Sequence, residues 1–172
     1  MKQVEWSTVS EEAMKQIGEG GGAFLTVQEG ERLNTMTIGW ALLGIMWGRP
    51  VMTVAVRRSR HTFGIIEHSA EFTVSVPLDG RERELAYCGS NSGRDGNKFE
   101  GCGLSVFPGV EVRVPVIDLK GIHFECRIVY RNALSPALLS DTLTAVYPGK
   151  DYHTLYFGEI VNCYVTDTTQ KR

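Results

Sequence analysis

Apolar side chains recur along this chain with a period of two far more often than with a helical period. In Glu71 to Val76, Phe72, Val74 and Val76 face one way while Glu71, Thr73 and Ser75 face the other, and Val51 to Arg57 is β-branched in the same manner. Both runs predict half-buried strands. Ala23 to Val27 and Leu33 to Trp40 predict two more, joined through Gln28-Glu29-Gly30-Glu31-Arg32, a hairpin pattern with glycine in its turn. Two long alternating runs follow late in the chain. Ile122, Phe124, Cys126, Ile128 and Tyr130 share one face of the first, and Leu155, Phe157, Val161, Cys163 and Val165 one face of the second.

Helical signals are short by comparison. Thr8-Val9-Ser10-Glu11 has capping-box spacing ahead of Ala13, Met14 and Ile17, with Gly18 as a stop and 18–22 as a hinge. Ser59 to Ser69 reads as a helix capped by Ser59, with Phe63, Ile65 and Ile66 as its apolar stripe. Gly80 to Tyr87 reads as another, because Asp79-Gly80-Arg81-Glu82 repeats the capping spacing. This balance predicts a mainly β fold, a closed or rolled antiparallel sheet with a few short helices, and argues against a βαβ protein.

Composition narrows the picture. The 172 residues suit a single domain, of which 1–22 would be the N-terminal helix and hinge. With 18 basic against 20 acidic residues the net charge is -2, which gives no global field to hold nucleic acid or an anionic membrane. Any anion site must be local. The longest apolar stretches, 40–47 and 51–56, are broken by Gly or Thr and fall short of the roughly 20 residues a spanning helix needs. Residues 1–12 lack the basic start and apolar run of a secretory signal, so a cytoplasmic protein is expected. Cys88, Cys102, Cys126 and Cys163 are spaced by 14, 24 and 37 positions without a C-x-x-C pair, so no metal is expected. Buried small apolar side chains and a redox disulfide stay open as their roles. No Ser/His/Asp or Cys/His constellation points to hydrolysis.

Three segments carry more polar and glycine content than folding alone requires. Asn34-Thr35-Met36-Thr37-Ile38-Gly39-Trp40 is a strand with Asn34, Met36 and Ile38 on one face and Thr35 and Thr37 on the other. Arg57-Arg58-Ser59-Arg60-His61-Thr62 gathers guanidiniums and hydroxyls where a strand ends and a helix is expected to begin, an arrangement suited to an anion. Gly89 to Phe99 is rich in Gly, Ser and Asn, can turn backbone amides inward and adds the point charge of Lys98. It lacks the G-x-x-x-x-G-K-[ST] spacing of a P-loop. Together the three favour a ligand that bears a phosphate.

In order and spacing these motifs, 34–40, then Val56 to Thr62, then Ser92-Gly93-Arg94-Asp95 with Lys98-Phe99, resemble the flavin-reductase-like FMN-binding family, within it the flavoredoxin group. The likeness runs from about Ala23 to Thr166 and is poorest over Val110 to Lys120. It implies a split β-barrel with Greek-key connections that dimerises and binds FMN near the subunit interface. It assigns Asn34, Thr35, Met36, Thr37 and Ile38 to the isoalloxazine edge, through backbone amides and Thr hydroxyls. Ser59, Arg60 and Thr62 fall at the ribityl phosphate with Ser92, Gly93 and Lys98, and Arg57 joins the same cofactor-binding set.

Two functions follow from the resemblance, with a flavin store or sensor as a further alternative. The first is an oxidoreductase in which FMN takes a hydride from NADH or NADPH and passes electrons to free flavin, a partner protein or oxygen. There is no G-x-G-x-x-G, so the nicotinamide would stack directly on the flavin. The second is an electron carrier between protein partners without efficient nicotinamide oxidation. His153, ahead of the last strand, is the candidate catalytic residue, with an imidazole expected to change charge near physiological pH. His61, His68 and His123 are weaker candidates, His123 being placed on the polar face of its strand. A homodimer is expected from the family likeness and from Trp40, Trp47 and Tyr164 as exposed aromatics.

Overall fold

A computed structural model describes residues 1–167 of the chain. Its elements in order are β1 (Lys2–Gln3), α1 (Trp6–Gly18), β2 (Ala23–Glu29), β3 (Arg32–Ile38), β4 (Ala41–Met46), β5 (Arg49–Arg57), α2 (Phe63–Ile66), β6 (Glu71–Pro77), α3 (Glu82–Ser90), α4 (Lys98–Cys102), β7 (Val106–Phe107), β8 (Val116–Ile117), β9 (Gly121–Ala133) and β10 (His153–Thr166). Short 3-10 turns at Pro136–Leu138 and Asp141–Val146 lie between the last two strands. The strands pair antiparallel in the order β3-β2-β6-β9-β10-β5-β4, with β1 added on β10 and with β7 and β8 as a separate pair. The fold is thus mainly β with few helices, as the alternation implies.

The core is the inner face of this sheet. Leu25, Val27, Met36, Met52, Val54, Phe72, Val74, Ile122, Phe124 and Tyr156 pack into one cluster, which α1 covers with Ala13 and Ile17. Two tight hairpins set the strand registers. In the first, Glu29 faces Arg32 across a turn in which Gly30 is left-handed (φ 57°). In the second, Met46 faces Arg49 across Trp47 (φ 54°) and Gly48 (φ 69°), a positive-φ pair whose twist suits a two-residue hairpin. The sequence reading missed this hairpin and β4 with it, because Trp is not a usual residue for such a turn.

Several expectations need correction. Helix α1 starts at Trp6, behind Glu5, and Thr8 Oγ1 donates to the Glu5 carbonyl within the first turn instead of capping. The expected helix 59–69 is a run of turns followed by only Phe63–Ile66, with Thr62 and not Ser59 before it. Asp79 does not cap α3; it pairs with Arg81, whose own backbone is left-handed at the helix start. In β10 the inward set is Tyr156, Gly158 and Ile160, while Leu155, Phe157 and Val161 are half-buried on the outer face. The register shift at 160/162, where Val161 is the extra residue, exchanges the two faces of β10, and the shift at 157/158, where Val129 is the extra residue, does the same for β9. Tyr130, across from Phe157 at the first slip, is likewise exposed and packs on Trp47 and Phe157 outside the core.

Beyond the slips both faces of the sheet are covered. Tyr164 is buried against Phe107 and Val116 and stacks on His123 at 5.2 Å, so Tyr164 is not an exposed aromatic, and the polar face that carries His123 is buried. The buried His123 meets Ser75 Oγ at 3.1 Å and Thr166 Oγ1 at 2.8 Å, and burial lowers its pKa to about 4. The irregular stretch 110–120 has its own anchor. The buried Glu125 carboxylate accepts the backbone N–H groups of Val110 (2.9 Å), Glu111 (2.6 Å) and Val112 (3.1 Å).

Candidate functional site

Three separate stretches of chain meet at one end of β3, and each is tied to the others by side-chain hydrogen bonds. Asn34 Nδ2 donates to Thr62 Oγ1 at 2.8 Å, joining β3 to the turn after β5. Arg60 Nη1 donates to the Gly89 carbonyl (2.8 Å) and Arg94 Nη1 to the Ser59 carbonyl (3.0 Å), joining that turn to the end of α3 and to the loop between α3 and α4. Thr37 Oγ1 donates to the Leu85 carbonyl at 2.5 Å and holds α3 against β3. Gly93 sits where no side chain fits: a Cβ there would lie 2.4 Å from Asn34 Oδ1 and 2.7 Å from the His61 ring.

These ties enclose two adjoining cavities that share Met36 and Arg60. The first, about 150 Å³, is lined by Ser59, His61, Thr62, Ser92, Gly93, Arg94 and Lys98. The second, about 190 Å³, is lined by Thr37, Ile38, Gly39, Trp40, Ala55, Arg57 and His153. Most residues singled out in the sequence therefore converge. Asn34 and Thr35 line neither cavity; Asn34 braces the first from behind, and the buried Thr35 hydroxyl donates to the Leu25 carbonyl. With the Thr37 hydroxyl also spent on Leu85, the strand offers the second cavity its backbone and not the threonine hydroxyls expected. Arg58 lies apart from Arg57 and Arg60, on the side of Tyr156.

The first cavity is charged beyond what the protein itself neutralises. Lys98 is only 5% exposed, and its ammonium donates to the Cys88 carbonyl at 2.7 Å. Among the described residues no carboxylate lies within ion-pair distance of Lys98, Arg60, Arg94 or Arg57; the ion pairs are all elsewhere. Burial lowers the Lys98 pKa, and the positive Arg60 beside it lowers it further. Burial lowers His61 as well, with Arg94 next in effect. A buried cation without a counter-charge is costly, so this pocket suits an anion with several acceptor oxygens. The four-residue α2 has little dipole to add, so the guanidiniums and Lys98 supply the charge. Beside this cavity Asp151 accepts from Ser59 Oγ (2.5 Å) and Ser59 N (3.3 Å).

The second cavity has Trp40 and His153 in its lining. His153 faces Arg57 across β10 and β5, packs on Trp40 with ring centroids 4.6 Å apart and planes tilted by 42°, and shares a hydrogen bond of 2.9 Å between its Nδ1 and the Tyr147 hydroxyl. Arg57 lies over the Tyr147 ring at 5.3 Å. Burial, and then the Arg57 charge, pull the His153 pKa down to about 4. The imidazole is therefore neutral throughout the physiological range, against the charge change expected from sequence. Sequence reasoning left out Arg94, Trp40, Tyr147 and Asp151. Arg94 stood inside a quoted motif and was legible there, whereas Tyr147 and Asp151 lie in an irregular segment with no periodic signal.

The sequence pattern of the flavin reductase like domain matches residues 19–172, and the chain belongs to that family. A protein of Archaeoglobus fulgidus described as uncharacterized is 30% identical over 139 residues, covering 81% of this chain and 69% of its own length. Among solved structures, the FMN-binding domain of a flavin reductases-like enzyme from Shewanella baltica is similar with a TM-score of 0.68 and 19% identity, over 96% of this chain and 78% of that one. The flavoredoxin of Methanosarcina acetivorans is similar with a TM-score of 0.64 and 25% identity, over 84% and 68%. The mainly β architecture matches that of the split-barrel flavin reductases.

Proposed function

We propose that this chain binds FMN and works as an oxidoreductase that moves a hydride or electrons from NADH or NADPH through the flavin to free flavin, a protein or another acceptor. The observation that carries the reading is the pair of joined cavities, one where the buried Lys98 stands with Arg60 and Arg94 and no counter-charge, and one with Trp40 and His153 in its lining. Arg60, Arg94 and Lys98 would hold the phosphate, with Thr62 and Ser92 as hydroxyl donors. The backbone of Met36 to Ile38 would meet the ring edge. Bound there, the flavin supplies the two-electron chemistry, and the protein contributes binding, orientation and exclusion of water. The neutral His153, held by Tyr147 and Trp40, would orient a substrate carbonyl from its Nε2 in the tautomer whose Nδ1 accepts from the Tyr147 hydroxyl.

The same reading includes a homodimer in a cytoplasmic setting. Trp40, Leu42, Ile45, Met46 and Trp47 on and beside β4, and Tyr130 next to Trp47, give an exposed apolar face that a second copy would cover. A mass near twice 19.1 kDa by light scattering supports it, and a monomer at micromolar concentration removes it. The second functional reading, an electron carrier, is favoured by the likeness to flavoredoxin. Anaerobic mixing with NADH and NADPH separates the two. Bleaching of the bound flavin supports the reductase, a yellow protein inert to both supports the carrier, and a protein that takes up no FMN refutes both.

A further inference from the structure

Cys88 and Cys102 stand at the two ends of the segment that carries the phosphate-pocket loop. Cys88 lies near the end of α3 and Cys102 closes α4, so residues 89–101 between them include Ser92, Gly93, Arg94 and Lys98. Both are free thiols, with their sulfurs 3.8 Å apart. Both are also bonded to Lys98: its ammonium donates to the Cys88 carbonyl at 2.7 Å, and the Cys102 thiol donates to the Lys98 carbonyl at 3.0 Å. Cys126 and Cys163, by contrast, belong to the main core, away from the pockets.

We propose that Cys88 and Cys102 form a redox-responsive pair whose disulfide staples the loop around the anion pocket and slows the release of a phosphate-bearing flavin. The inference rests on the FMN reading above. Closing the pair brings the sulfurs together by about 2 Å, a shift that small side-chain rotations and a slight approach of α3 and α4 supply. Each thiol gives up its hydrogen and one S–S bond forms. The two electrons and two protons pass to an oxidant, either a diazene, which becomes a hydrazine, or a hydroperoxide, which leaves as water and an alcohol. Cys102 is half-buried and is the sulfur an oxidant reaches first. Burial pushes Cys88 up to about 12 and raises Cys102, so the reaction is slow at neutral pH and quickens as pH rises.

Once closed, the link removes part of the freedom the loop uses to open and lets the bound state be reached with less ordering. Its action falls on the donors of the phosphate and not on β3, so a flavin without phosphate should not feel it.

The test uses the full chain, fully reduced, with and without diamide, the linkage being read by peptide mass mapping and flavin release by stopped-flow fluorescence. A Cys88–Cys102 peptide, FMN release slowed about fivefold and riboflavin release unchanged are expected. Cys102→Ser, which keeps a donor for the Lys98 carbonyl, should release FMN like the reduced protein and lose all response to diamide. Absence of that peptide, FMN release unchanged or faster in the linked protein, or equal slowing of riboflavin overturns the proposal alone. Failure of the reduced protein to bind FMN overturns the cofactor reading, and the proposal with it.

Discussion

Replacing Lys98 by Met removes one positive charge from the anion pocket while keeping most of the volume of the buried stem. Among the described residues the ammonium has the Cys88 carbonyl as its hydrogen-bond partner and no carboxylate within ion-pair distance. Two effects follow, with opposite signs. In the empty protein the substitution relieves a buried charge whose effective penalty is several kcal/mol and gives up one hydrogen bond worth about 1.5–3 kcal/mol. The relief is the larger of the two, so thermal stability without ligand should hold or rise. The direction of the pKa agrees: Lys98 is lowered in the fold, so its charged form is a cost to folding below that pKa, relieved as pH climbs toward 10.5. In the complex the lost charge-assisted bond to phosphate should cost about 2 kcal/mol, or about thirtyfold in dissociation constant. Riboflavin should bind within about twofold of the unaltered protein. The assay is quenching of flavin fluorescence with FMN and riboflavin side by side, together with thermal melts of the empty protein. A variant that melts earlier and loses both flavins equally would show that Lys98 supports the fold and does not read the phosphate.

Three further outcomes are expected. Gly93→Ala should weaken FMN at least tenfold and destabilise the protein by about 1–2 kcal/mol, because the new methyl displaces the Asn34 amide that holds Thr62; unchanged titrations and melts would refute the packing argument. His153→Ala should slow anaerobic flavin reduction about tenfold with FMN affinity within threefold, and neither protein should show a His-like pH step in that rate between pH 6 and 9, since His153 stays neutral there; a step near pH 6.5 that vanishes in the variant would contradict the burial argument. His123 and His153 are both depressed to about 4, so the unfolded chain takes up protons that the folded one refuses as pH drops from about 6.5 to about 4, and stability should fall across that window; urea midpoints at pH 7 and pH 5 measure it, and His123→Gln should reduce the drop.

Much of the site could be read from residues alone because its chemistry is local in sequence. Arg57 to Thr62 and Ser92 to Lys98 are runs in which charge, hydroxyls and glycine lie side by side, and the fold had only to bring the runs together. What lay outside those runs was not legible. Trp40 meets His153 from far away in sequence, and the His153 pKa depends on burial and then on Arg57, its partner on the neighbouring strand. Strand existence was clear from alternation in β2, β5, β6 and β9, while the inner face of β10 was assigned wrongly because bulges leave no mark in the apolar pattern. The helix expected after Ser59 failed for a different reason. Asp151, far away in sequence, accepts from both the hydroxyl and the backbone N–H of Ser59 and holds it toward itself, and the helix begins only at Phe63.

The place of β10 in the pairing order bears on how the chain reaches this structure. It lies between β9 and β5, so it alone joins the β3-β2-β6-β9 group to the β5-β4 hairpin, and it is the last of the described strands. During synthesis the early hairpin at 41–57 must wait, with its apolar face and one strand edge open, until residues 153–166 have left the ribosome. Such sequence-distant closure slows folding and prolongs the exposure of edges able to pair with other chains. Nascent chains should therefore be most prone to aggregate, and most dependent on chaperones, in the interval just before β10 emerges.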